Sequence, residues 1–216
     1  RPDIAVVTSF APNHLDWHGT LEDYRESKQA LLRWQTERDY FVVTADDEVA
    51  NWPGEARRFL TGPGTTIQTG EACFEFESPA MKLRGKHNQQ NALNAFAAVF
   101  AAMSIDCGEG ELPGLPASAV AAFSTFEPLP HRLAPVASAA GRTFYDDSIA
   151  TTPESAVAAL DSFDEPVVLL AGGSDKKLDL GEMARAISDN VKAVALLGTT
   201  GPQLDELISK LNPGLK

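Results

Sequence analysis

Two short apolar runs without alternation mark the first part of the chain. Ile4-Ala5-Val6-Val7-Thr8 and Tyr40-Phe41-Val42-Val43-Thr44 are rich in β-branched and aromatic residues, the pattern of strands buried on both faces. Between them the period changes. Thr20 followed three residues later by Asp23, with Glu22 between, is a capping box that opens a helix. On that helix Leu21, Tyr24, Lys28, Leu31, Leu32 and Gln35 share one face at three- and four-residue spacing. The second run ends at Ala45-Asp46-Asp47-Glu48, a polar turn, so the strand pattern repeats. Residues 51–70 mix Pro, Gly and Thr with a short helical hint at 55–60. Residues 72–77 alternate as a half-buried strand at an edge of the sheet would. Residues 92–103 form an Ala-rich helical run with Leu93, Phe96, Val99 and Phe100 at helical spacing.

A Gly- and Pro-rich stretch at 108–118 and a short helix at 119–126 follow, and Glu127-Pro128-Leu129-Pro130 breaks that helix. The domain boundary is placed at Leu129, giving domains 1–129 and 130–216. The second domain alternates: a strand pair at 133–137 and 143–145, a helix at 153–160, a strand at 167–171, a helix at 180–187 and a strand at 191–197. Such alternation predicts an α/β fold with a parallel sheet. Gly172-Gly173 makes a tight turn at a strand end with Lys176 and Lys177 beyond it. It is not a G-x-G-x-x-G fingerprint, which argues against a nicotinamide cofactor. No internal repeat is present.

Composition narrows the class. Of 216 residues 44% are hydrophobic, ample for packed cores, and no run is apolar and long enough to span a membrane. A net charge of -12 argues against a nucleic-acid or anionic-membrane surface and leaves room only for a local basic pocket. Cys73 and Cys107 are far apart and lack histidines at ligand spacing, so neither zinc nor a disulfide framework is expected, and a reducing cytoplasm fits. The chain starts at Arg1 and runs straight into a strand, as an excised piece would.

Three stretches carry candidate chemistry. In residues 12–28 His14 sits just past a strand end, where open α/β sheets bind ligands. Lys28 lies in a mostly apolar stripe. Buried there, it would be a neutral amine able to react with carbon dioxide, and the carbamate could join His14 on a divalent cation; alternatively it snorkels from the edge of the face. Second, Lys86 and His87 open the Ala-rich helix, which suits either an anion or a plain cap. Third, Tyr145-Asp146-Asp147-Ser148-Ile149-Ala150-Thr151-Thr152-Pro153 joins a strand to a helix. Thr152 and Pro153 are explained as cap and first turn. Asp146 and Asp147 are not, and ribose hydroxyls or a metal would suit them.

N-H-L-D-W-H-G-T with Y-R-E-S-K, G-K-H-N-Q-Q-N, P-H-R and D-S-I-A-T-T-P occur in this order along the chain, and together they resemble the Mur ligases, ATP-dependent enzymes that add amino acids to the peptidoglycan precursor. The resemblance implies part of a central ATP-binding domain with a parallel or mixed sheet, then part of a Rossmann-like C-terminal domain. It implies a carbamylated Lys28 and His14 as magnesium ligands, these two and Lys176 as catalytic, and Asn88, Asn91, His131, Arg132 and Asp147 on ATP. Asn91 would approach the adenine and Arg132 the phosphates. Thr151 and Lys176 would hold incoming glutamate, with Asn13 and Ser148 also on substrate. The matching branch adds glutamate to UDP-N-acetylmuramoyl-L-alanine through an acyl phosphate, and a monomer is expected. Ile149 departs from the pattern, which has lysine there, and opens the option of the branch that adds L-glutamate. The phosphate loop with its G-K-[ST] is not within the chain, so the chain alone is expected not to turn over. Folylpolyglutamate synthase, which shares the superfamily fold, and a non-catalytic nucleotide-binding homologue are the rival readings.

Overall fold

The computed structural model describes residues 1–62, 66–70, 72–75, 81–107 and 117–215. Residues 76–77 of the expected edge strand and most of the expected Gly- and Pro-rich stretch lie outside them. By Cα proximity the chain divides into two units. The first comprises Arg1–Lys82 and His87–Phe126, the second Leu83–Lys86 and Glu127–Lys216.

The first unit is built on a five-stranded sheet in chain order. Strands β1 (Ile4–Val7), β2 (Tyr40–Thr44) and β3 (Arg57–Gly62) run parallel, and β4 (Thr66–Thr69) and β5 (Ala72–Glu75) continue antiparallel. The lack of alternation in β2 has its cause in two covered faces. Tyr40 and Val42 pack with Phe59 and Ile67 against Leu93, Phe96, Ala97 and Phe100 of α3 (Lys86–Cys107). Phe41 and Val43 pack on the opposite face with Ala5, Leu32, Val49, Trp52 and Ala56. Phe123 of α4 (Ala117–Thr125) packs tilted against Phe96 at 4.1 Å between ring centres.

The helical hint at 55–60 is wrong: those residues lead into β3. Pairing with β2 overrides a weak local preference, since Phe59 can reach the core only as part of the sheet. The first apolar helical face also ends early. After the one-turn α1 (Leu15–His18), helix α2 (Leu21–Gln29) stops at Gln29, and Leu32 and Gln35 reach the interior from a following turn. There the Gln35 amide donates to the carbonyls of Pro2 and Tyr40 at 3.2 and 3.0 Å.

In the second unit β6 (Ala134–Ala139) and β7 (Arg142–Asp146) form an antiparallel hairpin, closed by Ala140 and Gly141 at positive φ. Helix α5 (Pro153–Leu160) follows. Then β8 (Val167–Gly173), α6 (Gly181–Asn190) and β9 (Val191–Gly198) make a parallel β-α-β crossover. The final helix α7 (Gly201–Leu211) was not among the expected elements, although Gly201-Pro202 and the spacing of Leu204, Ile208 and Leu211 mark it. Its Leu204 and Ile208 close a core with Leu160, Leu180, Ala184, Ile187 and Val191. Among the described residues the hairpin is a sheet of its own, so the parallel sheet here has two strands. Gly172 lies where the two strands converge. A Cβ there would fall 1.8 Å from the Leu197 carbonyl oxygen, so this glycine serves strand approach.

Phe96 is 1% exposed and Val99, on the same helix, 37%. Phe96→Ala is therefore expected to destabilise by about 3–5 kcal/mol, and Val99→Ala by less than about 0.5 kcal/mol. Denaturant midpoints of the two variants check the contrast.

Candidate functional site

In the first unit the loop after β1 is drawn toward the end of β2. The Phe10 N–H donates to Asp47 Oδ2 at 3.2 Å, and Asp47 Oδ1 accepts from Val49 N–H at 3.0 Å. Phe10 then stacks on Tyr24 of α2 at 5.2 Å and meets Trp52 edge-on at 5.3 Å. The Arg25 guanidinium lies 5.4 Å from the Phe10 ring and bonds Glu48 at 3.0 Å, holding that carboxyl below its usual range.

Tyr24, buried, is the hub of the basic residues. The His14 ring lies 6.5 Å from it, the His18 ring 5.0 Å, and Lys28 Nζ 5.2 Å over its face. His14 has left-handed backbone angles (φ 53°, ψ 32°), uncommon for a residue with a side chain, and Asn13 Oδ1 accepts its N–H at 2.9 Å. The expected capping box is present: Thr20 Oγ1 accepts from Asp23 N–H at 3.1 Å and donates to Asp23 Oδ2 at 2.6 Å.

Lys28 and His14 both neighbour the Tyr24 ring, but Lys28 is exposed. The expectation of a buried lysine is therefore corrected. Tyr24 takes the interior position, and one turn later the flexible lysine stem carries the ammonium out over the ring, a cation–π arrangement. An imidazole and an ammonium do not fit magnesium, a hard cation that takes oxygen ligands. Among the described residues no group of three or more His, Cys, Asp or Glu could hold a metal. A carbamate on Lys28 would supply the missing oxygens.

At the start of α3, Asn88 is buried and accepts from Asn91 Nδ2 at 3.4 Å, while Asn91 is exposed. One turn further is a network that the sequence reading missed. Thr61 Oγ1 donates to Asn94 Oδ1 at 2.6 Å and accepts from Gln90 Nε2 at 2.6 Å, and Asn94 Nδ2 donates to Thr44 Oγ1 at 3.4 Å. It ties α3 to the ends of β2 and β3. The signal was present in the sequence: Asn88, Asn91 and Asn94 recur every three residues, and Asn94 interrupts an apolar run.

In the second unit Asp146 and Asp147 have protein partners. Asp146 Oδ2 bonds His131 Nδ1 at 2.7 Å and its Oδ1 accepts from Ser148 N–H at 2.9 Å; Asp147 Oδ1 accepts from Leu133 N–H at 2.8 Å. The Ile149 N–H donates to the His131 carbonyl at 3.2 Å. The two acids thus need no ribose or metal to account for them, as they clasp the 131–133 turn to the end of β7. The turn requires it, because His131 and Leu133 both hold positive φ, 64° and 45°. Hydrogen bonds from the Ser148 backbone and then from His131 lower the Asp146 carboxyl to about 2. His131, Arg132, Asp147, Ser148 and Ile149 are gathered in this one assembly. Thr152 caps α5, accepting from Ser155 N–H at 3.3 Å, and Thr151 is exposed just ahead of it. Lys176 is exposed on the loop after β8, whose start is braced from the other side. Gly173 N–H donates to Thr200 Oγ1 at 3.0 Å, and Asp175 N–H to Thr199 Oγ1 at 3.0 Å.

Both units carry candidate residues on loops beyond the C-terminal ends of parallel strands, the arrangement of an α/β ligand-binding protein. Residues 1–99 match the Mur ligase middle domain, and residues 131–215 match the Mur ligase glutamate ligase domain. The chain belongs to the Mur ligase family. It is 37% identical to UDP-N-acetylmuramoylalanine--D-glutamate ligase of Symbiobacterium thermophilum over 97% of this chain and 48% of that protein. In fold it is similar to MurF from Acinetobacter baumannii (TM-score 0.67, 16% identity, 100% of this chain and 50% of that one). It is likewise similar to E. coli FolC in complex with ADP (TM-score 0.60, 20% identity, 96% and 52%). The chain thus spans about half the length of the curated relatives it matches. No helix among the described residues is long and apolar enough to cross a membrane.

The Asp146 clasp gives a pH prediction. Its carboxyl lies below the ordinary 3.8, so its contribution to holding the turn is complete above that value and is lost as pH falls through about 2. The carboxyl carbon-13 shift of Asp146, followed by NMR, is expected to titrate near pH 2 in the wild type and at a higher pH in His131→Ala, still below the ordinary value because the Ser148 N–H remains.

Proposed function

We propose that the full-length protein, meaning this chain within a polypeptide of its relatives' length, is an ATP-dependent ligase that adds glutamate to UDP-N-acetylmuramoyl-L-alanine in the cytoplasm, as a monomer. The observation that carries this reading is the 37% identity over 97% of the chain with a relative named for that reaction. The FolC neighbour, at 20% identity, shares the fold only and gives the folate reading no advantage.

In the proposed reaction the acceptor carboxylate takes the γ-phosphoryl group of ATP and ADP leaves. The amino group of glutamate then attacks the acyl carbon, phosphate departs, and the nitrogen loses a proton. Arg132, held by the Asp146 and Asp147 clasp, offers its planar fork to phosphate oxygens, and Asp147, with His131 beside it, also serves the nucleotide. Asn88 and Asn91 at the start of α3 face the adenine. Thr151 and Lys176 take the carboxylates of the incoming glutamate, and Asn13 and Ser148 line the substrate path. If carbamylated, Lys28 would join His14 in holding magnesium, and the ion would supply charge neutralisation at phosphate oxygens.

Mixing acceptor, ATP and glutamate with the full-length protein is expected to release one ADP and one phosphate per amide formed; no amide with either glutamate enantiomer would overturn the reading. Ile149, which stands where the family pattern has lysine, is proposed as the position that sets the enantiomer. Preference for L-glutamate in the wild type would make Ile149 a specificity marker. Ile149→Lys is expected to raise kcat/KM for D-glutamate about tenfold, the worth of one charge-assisted hydrogen bond. Wild-type preference for D-glutamate would make Ile149 a tolerated substitution.

Carbamylation of Lys28 is tested separately. With carbon-13-labelled carbon dioxide, a carbamate resonance is expected in the full-length wild type and not in Lys28→Arg. Its absence from the wild type would remove Lys28 from the magnesium site.

A further inference from the structure

Thr44 and Thr61 are register partners at the ends of β2 and β3, and Thr8 follows the last residue of β1. One run of hydrogen bonds joins these three strand ends to the first turns of α3, and its direction is fixed from one end. The Thr8 carbonyl can only accept, so the Thr44 hydroxyl donates to it, at 3.0 Å. With its single proton committed, Thr44 Oγ1 accepts from Asn94 Nδ2 at 3.4 Å. The amide oxygen of Asn94 accepts from the Thr61 hydroxyl at 2.6 Å, and Thr61 Oγ1 accepts in turn from Gln90 Nε2 at 2.6 Å. Every member of the run belongs to the first unit.

Adhesion of α3 to the sheet does not require this run. Asn94 is 1% exposed and lies beside Leu93, Phe96 and Ala97, which already pack on the strands, and alanine or leucine would suit the helix better. Apolar contacts hold α3 on the sheet without direction, so they tolerate small shifts of the helix along it. A buried amide does not. Any other placement of α3 would leave both ends of Asn94 without partners in the interior, the device by which a buried asparagine sets register between coiled helices. Asn91 and Asn88 precede it by three and six residues on the same helix. At the other end of the run, Thr8 begins the loop that leads to Asn13 and His14.

We propose that Asn94 is a positioning residue for the candidate site of the first unit. Without touching a substrate, it sets the start of α3 through Thr61 and Gln90, and through Thr44 it holds the start of the loop to Asn13. The proposal rests on the ligase reading above, in which Asn88 and Asn91 face the adenine and Asn13 lines the substrate path. Its two arms are separable. Breaking the run at Thr61 weakens nucleotide binding, whereas breaking it at Thr44 spares the nucleotide and weakens use of the acceptor. A network serving stability alone would lower the melting temperature in both cases and leave both affinities unchanged.

The test uses the full-length protein at a temperature where every variant is folded, with a fluorescent ADP analogue titrated directly so that binding is read apart from ligation. Thr61→Val, which removes the hydroxyl, is expected to weaken binding about tenfold, and Thr61→Ser, which keeps it, to stay within about twofold of the wild type. Thr44→Val is expected to bind the analogue as the wild type does. In the ligation assay it is expected to raise KM for UDP-N-acetylmuramoyl-L-alanine about fivefold with kcat changed less than about twofold. Asn94→Leu is expected to show both losses. If Thr61→Val does not fold, Gln90→Met, at a half-buried position, removes the same link and decides the matter by the same criterion. Thr61→Val and Asn94→Leu variants that bind the analogue as tightly as the wild type would overturn the positioning role and leave the ligase reading standing. So would equal loss of nucleotide affinity in Thr44→Val and Thr61→Val, or in Thr61→Ser and Thr61→Val. A wild type that binds no adenine nucleotide would overturn the ligase reading and the positioning role with it.

Discussion

The first unit depends on a strand that has no face to spare. Each side chain of β2 from Tyr40 to Val43 is buried, alternately against α3 and against the layer formed by Leu32, Val49 and Trp52. A slip of one residue would exchange the two sets and send Tyr40 and Val42 into a layer shaped for Phe41 and Val43. Fixing β2 in turn fixes β1 and β3 on either side of it, since both pair with it in parallel register. The polar ends of these strands then fall at one edge of the sheet. There Asp47 draws in the loop that leads to His14, and Thr44 and Thr61 meet Asn94. The candidate chemistry is placed by hydrophobic register first and refined by hydrogen bonds afterwards.

The second unit relies on a different device. Its candidate turn, residues 131–133, takes backbone angles that side chains disfavour, and two adjacent carboxylates hold it there. Negative groups beside a proposed nucleotide site would repel phosphates if left bare. Binding them to a histidine and to backbone N–H groups spends their charge locally and leaves Arg132 as the exposed charge of the turn. The acids therefore support the 131–133 turn from behind.

Much of this was legible in the sequence where the signal was local. Unalternating apolar runs gave β1, β2, β8 and β9, the capping pattern at Thr20 gave α2, and Thr152-Pro153 gave the start of α5. Several of the failures depend on partners distant in the chain. Residues 57–62 are a strand because β2 lies beside them, and the hairpin β6–β7 is a separate sheet although strand–helix alternation predicts a single parallel one. Asp146 and Asp147 looked available for a ligand because their partners in the turn, fifteen and fourteen residues away, could not be seen from spacing. Lys28 looked buried because a helical wheel assigns a side to a residue but not the reach of its side chain. The network at Asn94 was legible and passed over, its asparagine hidden in a run read only for its hydrophobicity.

Ile149 shows how a side chain in the clasp can vary without changing the shape of the turn. Its backbone N–H is committed to the His131 carbonyl and so belongs to the clasp, whereas its side chain is 49% exposed and carries no part of the core. Any residue with an N–H supplies the first contribution; only the side chain decides whether a cation stands at that point. The backbone contribution holds the turn and the side-chain contribution sets local charge, so the two are separable at this position. At Asp147 they are not, since removing its carboxylate would leave the Leu133 N–H without its acceptor and free a strained backbone to relax. Within a single loop, then, one position is constrained by architecture and the next but one is free of that constraint in its side chain.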